Sequence, residues 1–294
     1  MEILIQLIIT GMATGGVYGL IALGFVLIYK ATGILNLATG SFMTIGAFIC
    51  LTLLTNVGLP FAPAFIGTLA FAFLLGMAVE RLILSKLIGQ PIISVIMVTI
   101  GLSSILQGMT HVIWGPEFQS FPEIFPPEPL DLGFAIIPSS LLWGSIFAII
   151  GTVIFILIFR YTRTGIAMRA TASDQQAALS MGISVRWIFA ISWSLGAVAA
   201  VIGGIVIGNI SGISIYMGDI GLKVLAVIIL GGLDSIGGAI LGGLIIGILN
   251  NLAGMYLDPV FGGGVKDVAP FIILVIIIMI RPYGLFGKEI IERV

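Results

Sequence analysis

Charge is scarce in this chain: of its 294 residues only 9% are Asp, Glu, Lys or Arg, against about 25% in an ordinary soluble domain. A water-soluble globule is thereby excluded. The single cysteine, Cys50, rules out an internal disulfide and reads as a packing residue in an apolar run. The single histidine, His111, has no cysteine or second histidine with which to hold zinc. A P-loop is missing too: Gly287-Lys288 is followed by Glu289, and Pro282 stands where the first glycine would be, so the chain does not carry its own ATP site. The net charge of −1 offers no bulk attraction to nucleic acid. No Ser/His/Asp or Cys/His set can be assembled for catalysis. No relay of buried acids or histidines, which proton-driven transporters often need, is visible. Ahead of the first apolar run stands Glu2 and no basic residue, which does not read as a cleavable signal peptide.

What the chain does have is apolar length. Hydrophobic residues make up 59% of it, its mean hydropathy is +1.26, and several runs reach the ~20 residues that cross a bilayer. The runs are continuous rather than alternating, which argues against a β-barrel. The expected fold is an all-α polytopic membrane protein with about eight transmembrane segments, near residues 6–29, 36–57, 61–80, 92–114, 138–159, 188–209, 223–250 and 268–281. Lys30, Arg81, Lys86, the arginines of 160–186, Arg281, Lys288 and Arg293 mark cytoplasmic faces under the positive-inside rule. Residues 115–137 contain no Lys or Arg, but hold Glu117, Glu123, Glu128 and Asp131 among five prolines, and read as an external, stiffened loop.

These marks place the N-terminus outside and the C-terminus inside, which needs an odd number of crossings. Breaking the segment 223–250 restores the parity. Its middle reads Gly231-Gly232-Leu233-Asp234-Ser235-Ile236-Gly237-Gly238, where glycine weakens a helix and Asp234 is costly in lipid. Lys223 is then expected outside, beside Asp219. A second interrupted stretch, Thr32 to Ser41, lies near the other end and holds Asn36, Thr39, Gly40 and Ser41, with Thr44 just beyond. Paired interruptions in two halves point to a transport pathway built on inverted repeats. The candidate pathway residues are Asn36, Thr39, Gly40, Ser41, Thr44, Asp234 and Ser235, with Thr99, Ser103 and Gln107 from the fourth span. The same groups could instead satisfy backbone freed by glycine, or bond between helices. Of the forty glycines, Gly11, Gly15 and Gly19, Gly238 and Gly242, and Gly243 and Gly247 recur every four residues. That spacing serves close helix packing within the chain, or an interface with a second membrane subunit.

The longest polar interruption rich in basic residues is 160–186, with Arg160, Arg163, Arg169 and Arg186. Ser173 and Gln176 have the spacing of a capping box, and Gly182 suits a left-handed helix stop. Between them lie about eight residues, roughly 12 Å of helix. A short capped helix on a cytoplasmic loop is a part that another protein can grip.

Gln176-Ala177-Ala178 followed after three residues by Gly182 resembles the Glu-Ala-Ala-x-x-x-Gly loop of importer permeases of the ATP-binding-cassette class, with Gln for the usual Glu and without the Pro that often follows. Four further blocks resemble the branched-chain amino-acid permease family: Gly33 to Ala47, Gly165 to Ala170, Lys223 to Gly238 and Arg281 to Gly287. They stand in family order and cover most of the chain, whose length is that of the shorter of the two permease subunits. Thr39 stands where such permeases commonly carry His.

The resemblance implies one transmembrane permease domain over 1–294, with a cytoplasmic coupling loop at 160–187 and an external acidic loop at 115–137. It implies two ATPase subunits that use ATP while this chain holds no cofactor, a second permease subunit or second copy, and a soluble binding protein. The setting would be a bacterial or archaeal inner membrane. Coupling to the ATPase would fall to Arg169, Ser173, Gln176, Ala177, Ala178, Gly182 and Arg186. Branched-chain amino acids are the expected substrates, with urea, short amides or other amino acids as the alternative. An ion-coupled secondary transporter, the rival class, would have no use for the capped loop helix.

Overall fold

A computed structural model describes residues 2–87, 90–126, 128–131, 133 and 135–287; Lys288 and Arg293, read above as cytoplasmic marks, lie outside them, as does Pro127. The helices are α1 (Glu2–Thr32), α2 (Thr39–Thr55), α3 (Phe61–Leu82), α4 (Ile92–Trp114), α5 (Ser139–Tyr161), α6 (Arg163–Ser173), α7 (Gln175–Ser180), α8 (Val185–Ser211), α9 (Ile220–Gly231), α10 (Ile236–Tyr256), α11 (Asp258–Phe261) and α12 (Val265–Ile280). Six of them are long and apolar enough to cross a membrane. The expected eight are therefore six full-length helices and shorter pieces, of which α2, α9 and α12 have 17, 12 and 16 residues.

Between helices in lipid there is no hydrophobic drive, so contact depends on backbones coming close. The four-residue glycine spacing does this within the chain. A Cβ on Gly15 would lie 2.6 Å from the Gly243 carbonyl oxygen, and one on Gly11 would lie 2.7 Å from Ile248 Cα. These pairings run α1 antiparallel to α10. Gly15→Val is expected to cost about 1–3 kcal/mol, the usual price of overpacking. Thermal melting in detergent checks it, and Gly16→Val, where a Cβ meets nothing within 4 Å, is the control.

α8 also lies antiparallel to α1, with Gly24 against Gly196 and Ala199. Each of these two long helices ends on a glycine in the left-handed region, Gly33 at φ 72° and Gly212 at φ 78°. The ends read alike, Thr32-Gly33-Ile34 and Ser211-Gly212-Ile213; the first leads into α2 and the second, through a 3-10 turn at Ile215–Asp219, into α9. Two units of one pattern, with their long helices antiparallel, form an inverted pair.

Most of the basic residues gather at one end of the bundle; Lys223 and Lys266 lie away from it, with Asp267 at the start of α12. Lys30 Nζ donates to the Asp234 carbonyl at 3.2 Å and lies over the Phe159 ring, and Arg81 lies over Trp187. The opposite end holds the acidic loop, where the Gln119 and Ile213 backbones exchange hydrogen bonds of 2.9 and 2.7 Å. The break expected inside 223–250 is present as the turn between α9 and α10. The C-terminal block closes it: the N–H groups of Leu285 and Phe286 donate to the carbonyls of Leu230 and Gly231 at 2.8 and 3.1 Å. Helix ends leave such carbonyls without partners, so the last block of the chain completes the end of α9. Lys223 does not pair with the neighbouring Asp219; its ion pair is with Asp267 of α12, at 2.6 Å.

Candidate functional site

Two hydrogen bonds fix the depth of α2. Ser41, near its start, pairs with Ser103 midway along α4 at 2.8 Å, while Thr52, near its end, accepts from Trp114 Nε1 at the end of α4, also at 2.8 Å. The helices are parallel and in step, so α2 begins about halfway across the bundle rather than at its surface. α9 begins at the same place: a Cβ on Gly221 would lie 2.7 Å from Gly40 Cα, and one on Gly40 would overlap the Gly218 carbonyl. From there α9 runs to the basic end. Two half-length helices therefore meet start to start inside the apolar bundle.

A helix start carries about half a positive charge from unpaired N–H groups, and broken helices of this kind favour an anionic group there; α9, unlike α2, continues from a 3-10 turn at Ile215–Asp219, whose Met217 and Gly218 carbonyls already accept the Ile220 N–H. The surrounding side chains are mostly self-satisfied. Thr39 donates to the Asn36 carbonyl at 2.8 Å, Thr44 to the Gly40 carbonyl at 3.0 Å, and Thr99 to the Ile96 carbonyl at 2.8 Å. Asn36 Oδ1 accepts from the Ala38 N–H at 3.0 Å, but its Nδ2 is buried without a partner. A Cβ on Gly218 would come within 3.2 Å of Gln107 Nε2, so Gln107 reaches the same junction. Of the candidate pathway residues, Asn36, Thr39, Gly40, Ser41, Thr44, Ser103 and Gln107 are brought together. Thr99 sits one turn toward the basic end. Asp234 and Ser235 do not join them: they form the turn at the basic end, where Ser235 Oγ accepts from the Gly238 N–H at 3.0 Å and caps α10.

The arginine-rich loop folds as two helices rather than one. α6 is capped by Thr162, whose hydroxyl accepts from the Gly165 N–H at 3.1 Å, and it runs on through Ser173. Ser173 is thus the last residue of α6, donating to the Arg169 carbonyl at 3.0 Å, and not the cap of the next helix. That cap is Asp174, whose Oδ1 accepts from the N–H groups of Gln176 and Ala177 at 2.8 and 3.0 Å. Ser and Asp are both strong N-cap residues, and nothing local distinguishes two that stand side by side. The helix stop is at Gly182 as expected, with φ 80° and its N–H donating to the Leu179 carbonyl at 3.0 Å.

On α7, Ala178 faces inward and is 3% exposed, whereas Leu179 and the following Met181 are 57% and 83% exposed. Gln176, Ala177 and Arg186 are also exposed. Arg169 does not flank this face. Its guanidinium donates to the carbonyls of Phe159 and Arg160 and lies over the Phe159 ring, which ties α6 to the end of α5. Arg169→Gln removes charge-assisted bonds worth roughly 1.5–3 kcal/mol. The expected result is faster proteolytic cleavage between residues 160 and 173 with the rest of the digest unchanged.

One group has no counterpart in the sequence reading. Glu80 of α3 is 2% exposed, its Oε1 lacks a hydrogen-bond partner, and it lines a cavity of about 160 Å³ shared with Thr32, Gln90, Gln175 and Trp193. This cavity lies between the start of α7 and the loop that leads into α2. A Glu beside Arg81 in sequence looks like one half of a surface pair, and gives no local sign that it points inward.

Comparison with known proteins matches residues 7–280 to the family described as branched-chain amino acid transport system / permease component. The high-affinity branched-chain amino acid transport system permease protein LivH of Escherichia coli is 28% identical over 99% of this chain and 97% of its own length. BraD of Pseudomonas aeruginosa, described in the same words, is 29% identical over 99% and 98%. The probable permease LivH of Methanocaldococcus jannaschii is 33% identical over 92% and 88%. Among solved structures, a chain of PsaBC from Streptococcus pneumoniae in complex with Fab superposes with a TM-score of 0.51 at 16% identity, over 94% of this chain and 92% of that one. The likeness to PsaBC is one of fold.

Proposed function

From a chain that belongs to the branched-chain amino acid transport permease family, we infer a membrane-spanning subunit of an ATP-driven, binding-protein-dependent importer of branched-chain amino acids. The observation that carries this reading is the family match over residues 7–280; the exposed α7 at the basic end fits it. The chain lies in the cytoplasmic membrane as a multi-pass protein. Its N-terminus and acidic loop face outward, and its arginines and C-terminus face the cytoplasm. The partners are two ATPase subunits beneath α7, a second permease chain or copy, and a soluble binding protein that docks at residues 115–137. ATP is hydrolysed by the partners.

The mechanical route follows from contacts. ATPase closure displaces α7, whose exposed Leu179 and Met181 are the grip. Through Gly182 the motion passes into α8, and through α6 and Arg169 it passes to the end of α5. α8 crosses α2 where Gly204 lies against Met43 and Gly46 against Val201, so tilting α8 moves the start of α2 against the start of α9. The helix-start charge of α2 holds the carboxylate of the passing amino acid, and the apolar walls accept its side chain.

Substrate class is tested by competition. In cells that depend on this importer, unlabelled valine and isoleucine are expected to suppress labelled leucine uptake, and urea and acetamide to leave it unchanged. The reverse pattern would keep the importer and move its substrate to the amides.

A further inference from the structure

α9 and α10 touch backbone to backbone at the basic end and part toward the other. A Cβ on Gly238 would overlap the Gly231 carbonyl, and one on Gly242 would lie 2.6 Å from the Val227 carbonyl oxygen. Beyond these contacts a pocket of about 580 Å³ lies between the two helices, lined by Ile220 and Lys223 of α9 and by Asn251, Gly254 and Met255 of α10. The start of α9 is therefore held elsewhere. On one side Gly221 lies against Gly40 of α2. On another Lys223 pairs with Asp267 of α12 at 2.6 Å. Residues two apart on a helix project about 200° apart, so these two attachments face opposite ways.

Asp267 stands in the first turn of α12, where a negative charge suits the helix start. Immediately before α12 run Gly262, Gly263 and Gly264, at φ 83°, 104° and 83°. A Cβ on any of them would meet nothing within 4 Å, so it is the backbone conformation and not a neighbour that calls for glycine. Three such residues in a row make a joint on which the start of α12 can turn. The other ends of α9 and α12 are tied as well, through the Leu285 and Phe286 N–H groups on the Leu230 and Gly231 carbonyls. α9 and α12 are thus joined at both ends, beside a joint and next to a pocket.

We propose that Lys223 and Asp267 are positioning residues for transport. Their ion pair fastens the start of α9 to α12, so that the two helices swing as one on Gly262–Gly264, and the pocket beside α10 is the room into which they swing. In this structure Gly221 is seated on Gly40 and the helix junction is shut; the swing lifts Gly221 away and opens the junction toward the acidic loop. A pair whose carboxylate is 54% exposed adds little to folding stability. It is enough to shift the balance between two positions of α9 by ~5-fold, and its loss is expected to show there. The role in transport rests on the importer reading above; the fastening of α9 to α12 does not.

The test is the distance between spin labels on Tyr216→Cys, just before α9, and Val268→Cys in α12, both exposed positions. It is read by pulsed electron paramagnetic resonance on the full chain in nanodiscs, with Cys50 replaced by Ala. One narrow distance is expected when the pair is intact. Lys223→Met and Asp267→Asn should each broaden it, and the double variant should be no broader than either single, because two partners of one bond do not add. Lys223→Arg, which keeps the pair, should keep the narrow distance. High salt should broaden it in the intact chain and leave the broken pairs as they are, which a packing role for either side chain would not produce. The salt comparison needs no change in the pair, so it decides even where a variant fails to fold. A narrow distance that neither variants nor salt alter overturns the proposal. With ATP and the co-purified ATPase the intact pair should still give one narrow distance; two distances would overturn the joint swing. Labelled-leucine uptake by the assembled importer should fall ~5-fold in Lys223→Met and recover in Lys223→Arg. Broadening with full uptake overturns the role in transport. No uptake even by the wild type, with the distances as expected, rejects the importer reading alone.

Discussion

Gly40→Val is expected to abolish uptake while the protein still reaches the membrane. A Cβ at this position overlaps the Gly218 carbonyl. The obstacle is backbone, so no rotamer change relieves it. Overpacking typically costs about 1–3 kcal/mol, and here the whole penalty falls on the junction between α2 and α9. The comparison variant is Gly218→Ala, whose Cβ is tight only against the end of the Gln107 side chain, at 3.2 Å, with Gly40 C and Thr44 Oγ1 at an ordinary contact distance of 3.7 Å. That flexible amide can move aside, so uptake within a few-fold of wild type is expected. Labelled-leucine uptake normalised to membrane abundance separates the two. Normal uptake by Gly40→Val would remove the helix junction from the transport path.

Met181→Glu and Gly182→Pro are expected to eliminate ATP-driven uptake for different reasons. Met181 is 83% exposed, so a charge there leaves folding intact and acts on whatever the residue touches in the assembly. Melting should be unchanged and the amount of co-purified ATPase should fall. Gly182 has φ 80° and donates its N–H to Leu179. Proline is fixed near φ −65° and has no N–H, an incompatibility costing about 3 kcal/mol or more where the backbone cannot comply. The link from α7 to α8 should be lost, leaving ATP hydrolysis that no longer responds to binding protein and leucine. Ala178→Glu is a poorer probe, because a 3% exposed residue would disturb α7 itself. Full uptake by Met181→Glu at normal abundance would dismiss α7 as the grip.

Membrane class, the broken C-terminal segment and the end of α7 were all legible because each has a local cause: apolar length, glycines around Asp234, and a glycine in the left-handed region. The depth of α2 was not legible, since it depends on register against α4, set by Ser41–Ser103 and Trp114–Thr52 across 62 positions of sequence. The ion pair of Lys223 was not legible either, since its partner Asp267 stands 44 positions away. Glu80 gave no signal, because a Glu beside an Arg at the end of an apolar run looks the same whether it faces water or a cavity. Ser173 misled because Asp174 beside it is an equally strong N-cap residue, and Ser173 itself ends the preceding helix.

The central claim is that this chain admits branched-chain amino acids under the force of an attached ATPase. The most direct measurement is labelled-leucine uptake into proteoliposomes holding the chain with its co-purified subunits, with ATP enclosed on the α7 side and binding protein on the other. The account predicts accumulation that requires both ATP and binding protein, and that stops in Met181→Glu. Accumulation driven by an ion gradient without ATP would contradict it and make the chain a secondary transporter.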